Sequence, residues 1–230
     1  MASNTTQEFK SVRQPRYSGS VVSTLPRFRR NAVAFFSVGI VIVWMLMALL
    51  APIIAPKDPL AQNVTNRLQP PNENAYMGTD ELGRDVYSRV LYGGRITIPA
   101  AMVVVIGATI IGTLCGALAG YTGGAWDEGL MRVTELFLAF PAIILVLALT
   151  AALGSEIRNA VLALIIVRWP HYSRLIRGLV LETKEQEYVT ASQSMGASHS
   201  RIVSRTILPN IMAVVLVYAS LDIGTAMLMF

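Results

Sequence analysis

An all-α, polytopic transmembrane helical bundle is the fold class this sequence predicts, and three observations carry the prediction. Hydrophobic residues make up 53 % of the chain and charged residues only 14 %. The mean hydropathy is +0.52, outside the range of ordinary soluble domains. The apolar residues also fall in long runs. No charge occurs between Asn31 and Pro56, from Ile96 to Trp126 or from Leu136 to Ser155, and Ile207–Phe230 is interrupted only by Asp222. Roughly 20 helical residues cross a hydrocarbon core of about 30 Å, so each run can span. Finally, the formal charge of +5 sits in the polar connections, as expected when one side of a membrane retains Lys and Arg. About five spans are expected.

Residues 1–31 read as a polar, Ser/Thr/Arg-rich tail on the cytosolic side. "PRFRRN" (Pro26–Asn31) places three arginines directly before the first apolar run. The tail is long for a signal-peptide n-region and the run is long enough to span, so an uncleaved first helix over 32–55 is expected. Prolines in "LLAPIIAPKDPL" end it. Residues 56–95 form a polar extracytoplasmic loop. Within that loop Asp80 and Glu81 precede Val86, Val90 and Leu91, which suits a short amphipathic helix with an acidic first turn.

The remainder, 96–230, reads as the main membrane domain. Its first span lies within Ile96–Gly120 and carries Gly112, Gly116 and Gly120 at four-residue spacing, a stripe that lets another helix approach closely. "YTGGAWDEG" (Tyr121–Gly129) is a turn-rich connector. The next span runs from about Arg132 to Ala152, with Pro141 as a kink. The span after it, Ile157 to about Gly178, is short by hydropathy because only nine residues separate Arg158 from Arg168. If it crosses, thirteen of the nineteen basic residues lie inside, in line with the positive-inside bias, and its arginines snorkel toward the cytosolic face.

The polar segment 181–206 then falls in the cytosol. "EYVTASQSMGASHSRIVSRTILPN" (Glu187–Asn210) has helical periodicity: Tyr188, Ala191, Ser192 and Met195 share one face. Gly196 suits the left-handed position of a helix C-cap. Ser198 suits an N-cap, Ile202, Val203, Ile207 and Leu208 form part of the apolar face of a second helix, and Pro209 breaks the chain before the last span. A helix–turn–helix lying against the membrane follows, either resting on lipid or docking a partner. Asp222 is an acid within a span, and such groups are expensive and often functional. It lines the cargo path, pairs with a partner subunit or lies near the outer interface.

Several chemistries are excluded. Cys115 is the single cysteine, His171 and His199 stand far apart, and neither histidine has a nucleophile and acid in a recognised arrangement, which argues against a metal site or a membrane hydrolase. No basic patch is interleaved with aromatics as nucleic-acid binding requires. No G-x-x-x-x-G-K-[ST] loop is present to cradle phosphates.

The segment "EYVTASQSMGASHSRIVSRTILPN" resembles the EAA loop of permease subunits in ABC-type importers. Ala191, Gly196, Leu208 and Pro209 match at that family's spacing, whereas Thr190 stands at the acidic position and Ser192 at the second alanine. Glu187 is acidic nearby but out of register. "RWPHYSRLIRGLVLETKEQEYV", "MGTDELGRDVYSRVLYGGRIT" and "GYTGGAWDEGLMRVTELFLAFP" are similar to the dipeptide, oligopeptide and nickel subgroup, in its second-permease branch. The resemblance implies a subunit without a nucleotide or other cofactor, in a bacterial inner membrane with its amino terminus cytosolic. It implies a second permease subunit, two ATP-binding subunits that hold ATP and Mg, an extracytoplasmic solute-binding protein and the lipid bilayer as partners. The coupling surface it implies comprises Glu187, Tyr188, Ala191, Ser192, Gly196, Ala197, Arg201, Leu208 and Pro209. Tyr188 would supply an apolar contact, Ala191 and Ala197 close approach, Arg201 a polar contact. Gly78, Asp80, Gly83, Arg84 and Asp85 would shape the outer loop, through an internal Arg–Asp pairing or through contact with the binding protein. Peptides are the expected cargo, nickel or metal chelates the alternative, and a self-contained carrier or channel the competing class. The family usually has six spans, so the ending "TAMLMF" predicts a chain shortened at its carboxyl end.

Overall fold

The computed structural model describes residues 32–230, and the expected amino-terminal tail lies outside them. The first helix, α1 (Ala32–Leu49), exposes apolar side chains such as Phe35, Phe36, Ile42 and Leu46. At 1.5 Å per residue it is about 27 Å long. A helix that offers hydrocarbon to its surroundings suits lipid. It ends earlier than the sequence predicts: a turn at Leu50 separates it from the short α2 (Ala51–Ile54).

Residues 51–230 form a second compact unit. Its helices are α3 (Val86–Thr122), α4 (Gly124–Leu138), α5 (Ala142–Leu153), α6 (Ile157–Lys184), α7 (Glu187–Ser194), α8 (His199–Ile202) and α9 (Leu208–Met227), with a π-turn over Val203–Ile207. Among the described residues the regular structure is helical, apart from two isolated bridges in the loop before α3.

α3 and α6 make the central pair. A Cβ built on Gly112 would lie 2.3 Å from Cβ of Tyr172, one on Gly116 2.4 Å from the Ser173 carbonyl, and one on Gly120 2.9 Å from the Arg177 carbonyl. Both numbers of each pair increase together, so the helices run parallel, and the same three glycines also lie against Cβ of Tyr172, Ile176 and Val180 in turn, steps of four meeting steps of four. The glycine stripe is thus a groove for α6, as small residues at helix crossings permit. α9 packs on both central helices, while α4 and α5 pack on α6. The buried core runs along Ala101, Val105 and Ala108 of α3, Tyr172, Ile176 and Val180 of α6, and Ile211 and Val215 of α9.

Four expectations change. The short amphipathic helix is not separate: α3 starts at Val86 and continues for 37 residues through the first span of this unit. Asp80 and Glu81 lie ahead of it, and Asp85 is its N-cap instead. The supposed connector Tyr121–Gly129 is mostly helical, reduced to a turn at Gly123 and Gly124, whose φ values are +66° and +56°. At Pro141 the chain does more than kink. α4 and α5 meet at 87°, because proline removes a donor and disfavours helix in the residue before it.

α6 is the fourth change. It is a full 28-residue helix, about 42 Å long, and not a short one. It is not among the helices apolar enough to cross by length and composition, but two of its arginines are paired within the bundle. Arg168 pairs with Asp222 of α9, and Arg177 binds Asp127 of α4 through two bonds, Nη2 to Oδ2 at 2.7 Å. The two arginines are therefore held by carboxylates of neighbouring helices. By length and composition alone α3 and the continuous stretch His199–Met227 can each cross a membrane, and the bent α4–α5 pair brings that number to three.

Candidate functional site: a helix–turn–helix at one end of the bundle

The segment from Glu187 to Asn210 forms two short helices around Gly196. Met195 and Gly196 donate to carbonyls of the preceding turn, and Gly196 has φ +79°, the left-handed cap that glycine accepts without a Cβ penalty. Ser198 occupies the N-cap position of α8, yet its hydroxyl makes no capping bond. Pro209 does not break the chain either. It sits in the first turn of α9, directly after the π-turn over Val203–Ile207. The wider turn accommodates a proline that lacks an N–H and crowds the carbonyl four residues earlier. α8, the π-turn and α9 therefore form one continuous rod.

Three side chains hold the segment to the bundle. Val189 of α7, Ile202 of α8 and Ile207 of the π-turn are each at most 1 % exposed and belong to the main core. Ala197, Val203 and Leu208 pack against the same core. Polar ties reinforce them. The Tyr121 hydroxyl lies 2.8 Å from Nδ1 of His199, Lys184 donates to the Gly120 carbonyl at 3.1 Å, and Asn210 donates to the Tyr188 hydroxyl at 3.3 Å. The end of α3, the end of α6 and the start of α9 thus converge on the same turn.

The opposite face is open. Tyr188 and Met195 are 45 % and 81 % exposed, and Glu187, Ala191, Gly196 and Arg201 are exposed beside them. Arg201 makes no ion pair among the described residues. Ser192 is half-buried, with its hydroxyl donating to the Tyr188 carbonyl at 2.8 Å. C-cap chemistry reached Gly196, and periodicity alone reached Tyr188, Ala191, Ser192 and Met195. It missed Val189, because one valine among polar neighbours carries no period, and it missed Tyr121 and His199, which are 78 positions apart. A groove of about 950 Å³ runs beside the segment, lined by Leu114, Tyr121, Lys184, Thr190, His199 and Ser204 among others.

The loop before α3 is a second ordered polar structure. Asp80 collects the backbone N–H groups of Leu82 and Arg84 at 2.9 Å and Nε of Arg84 at 2.7 Å, and it also binds Arg89. The internal Arg–Asp pairing therefore uses Asp80. Asp85 instead accepts from the N–H and hydroxyl of Ser88 at 2.8 and 2.7 Å. Burial pushes the Asp80 carboxyl up, but the bonds from Arg84 and Leu82 outweigh it and hold the group at about 2 instead of 3.8. Gly78 and Gly83 have φ of +75° and +71°, and a Cβ on either would strike the Gln69 or Asn63 carbonyl.

Asp222 is bonded within the chain, to α6 and to its own helix. Its carboxylate binds Arg168, accepts from the Tyr172 hydroxyl at 2.9 Å and from the Thr225 hydroxyl at 2.7 Å. Both members of the ion pair are nearly buried.

A helical membrane bundle with an ordered polar loop at one end and an exposed helix–turn–helix at the other is a frame suited to a membrane transport subunit. Comparison with known proteins agrees. Residues 112–230 match the family described as binding-protein-dependent transport system inner membrane component, and 23–71 match the N-terminal TM domain of oligopeptide transport permease C. The chain belongs to the binding-protein-dependent transport system inner membrane component family. It is 40 % identical over 229 residues to a probable D,D-dipeptide transport system permease protein of Escherichia coli K12, covering 100 % of this chain and 76 % of that one. A dipeptide transport system permease protein of Alkalihalophilus pseudofirmus is 37 % identical over 202 residues, with 88 % and 66 % covered. An oligopeptide transport system permease protein of Bacillus subtilis is 36 % identical over 200 residues, with 87 % and 66 % covered. The chain thus spans 66 to 76 % of the length of these relatives.

Proposed function

We propose that this chain is one of two permease subunits of an ATP-driven importer of peptides in a bacterial inner membrane, with its amino terminus in the cytosol. The relatives' names support peptides as cargo. A separate pair of ATP-binding subunits holds ATP and Mg, and an extracytoplasmic binding protein delivers cargo to the loop before α3. One observation carries the reading. The segment 187–210 is clamped to the core on one face and offers Tyr188, Ala191, Met195, Gly196 and Arg201 on the other. A surface built in this way passes force instead of dissipating it, because a pushed segment moves the helices it is locked to.

Thr190 and Ser192 replace the acidic and second alanine positions of the coupling motif, so the fit to an ATPase rests on shape more than on an acidic contact. The test is co-purification with a candidate ATPase subunit. Nothing lies within 4 Å of the position a Cβ would take at Gly196, but its φ of +79° strains any side chain there, so Gly196→Asp is compared with Gly196→Asn, which carries the same backbone strain without the charge. Gly196→Asp is expected to reduce association by about tenfold relative to Gly196→Asn, the effect of roughly 1.4 kcal/mol at an interface. Association that survives unchanged sinks the coupling role of this turn. Cargo is read separately, by peptide binding to the partner binding protein.

A further inference from the structure

The loop between α2 and α3 encloses a cleft of about 600 Å³ that the coupling function does not use. Its lining includes Lys57, Asn63, Asn66, Gln69, Asn72 and Asp85. Amides therefore dominate, with two carboxylates, Asp58 and Asp85, among them. Asp85 is 2 % exposed, and its two oxygens are used unequally. Oδ2 accepts both Ser88 bonds, whereas Oδ1 is buried without any partner. A buried carboxylate oxygen left unpaired is costly, and the amide groups around it supply both donors and acceptors.

We infer that this cleft is a binding site for a small ligand carrying a primary ammonium group, the ammonium donating to neighbouring amide carbonyls and to Oδ1 of Asp85, an oxygen covered in this structure that a local shift of the loop must open to the cleft. Three features select that chemistry. The free oxygen is anionic, so a cationic donor gives the stronger, charge-assisted bond. The volume is that of a small-molecule pocket and too large for one dehydrated ion. No group of three or more His, Cys, Asp or Glu among the described residues is placed to hold a metal, and a hard divalent cation needs six or more oxygens. Lys57 also lines the cleft, and its ammonium is a rival cation for the carboxylate. Resting on the peptide reading above, the ligand is the amino-terminal end of a peptide met on the outer face.

The test is calorimetric titration of the full chain in lipid nanodiscs, without ATPase or binding protein. Ala-Ala is compared with N-acetyl-Ala-Ala, and calcium chloride is titrated alone. Asp85→Asn keeps an N-cap oxygen for Ser88, since Asn caps as well as Asp, and removes the charge. Ala-Ala is expected to bind, with acetylation and Asp85→Asn each weakening it about tenfold or more. Lys57→Met is expected to tighten it. Equal binding of the two peptides, no binding of either, an unchanged Asp85→Asn, or a response to calcium alone would each overturn the inference. ATPase association is measured on the same preparation. A chain that couples but binds no peptide defeats only this site, whereas one that binds but does not couple defeats the transport reading.

Discussion

Asp80 illustrates how a single side chain organises a polar loop. Four donors converge on it, two of them backbone, so the loop before α3 is held in place by one carboxylate. Its folded pKa of about 2 lies below the unfolded value of 3.8. The stabilisation is therefore complete above about pH 4 and is lost as pH falls through about 2. Amide exchange of residues 63–89, corrected for intrinsic rates, is expected to rise as pH is lowered from 5 to 2. Asp80→Asn should show that raised exchange already at neutral pH. A flat pH profile in the native chain would remove Asp80 from this role. Its position in the sequence beside Glu81 suggested a helix start, and nothing local distinguishes an acid that begins a helix from one that closes a loop ahead of it.

At the scale of elements, the α3–α6 crossing depends on three glycines. Gly116 sits against the Ser173 carbonyl, a backbone atom that cannot step aside, whereas Gly93 of the same helix has open space around it. The same substitution should then act with opposite signs. Gly116→Ala is expected to cost about 1–3 kcal/mol through overpacking. Gly93→Ala should be neutral or gain up to about 1 kcal/mol of helix propensity. Thermal unfolding of the purified chain in detergent compares them, and equal midpoints would show that the stripe is not the contact. The stripe itself was legible in the sequence, as were the long apolar runs and the left-handed Gly196. The 87° corner at Pro141 was not. Hydropathy stays high through "FLAFPAIIL", and a hydropathy run reports how apolar a stretch is, never the direction in which it continues.

Taken as a whole molecule, the bundle is closed by pairs that lie far apart in sequence. Arg168–Asp222 joins α6 to α9 and Arg177–Asp127 joins α6 to α4, separations of 54 and 50 positions. Read locally, those charges argued against α6 as a long helix and made Asp222 an isolated anomaly. Only the packing reveals them as mutual solutions. Removing one member leaves an uncompensated charge in the bundle, so Asp222→Leu is expected to destabilise by about 3–5 kcal/mol, and the double change Arg168→Met with Asp222→Leu to restore most of that. Thermal midpoints in detergent check the cycle. A double variant as unstable as the single would show that Asp222 acts through something other than charge pairing.

The π-turn before Pro209 has a mechanical consequence. By absorbing the proline it leaves His199 to Met227 as a single beam of 29 residues, about 43 Å from end to end. Arg201 rides near one tip and Asp222 near the other. Rotating such a beam by about 10° about one tip sweeps the other through roughly 7 Å. An oarlock at Asp222 would have to release Arg168 or carry α6 along with the stroke.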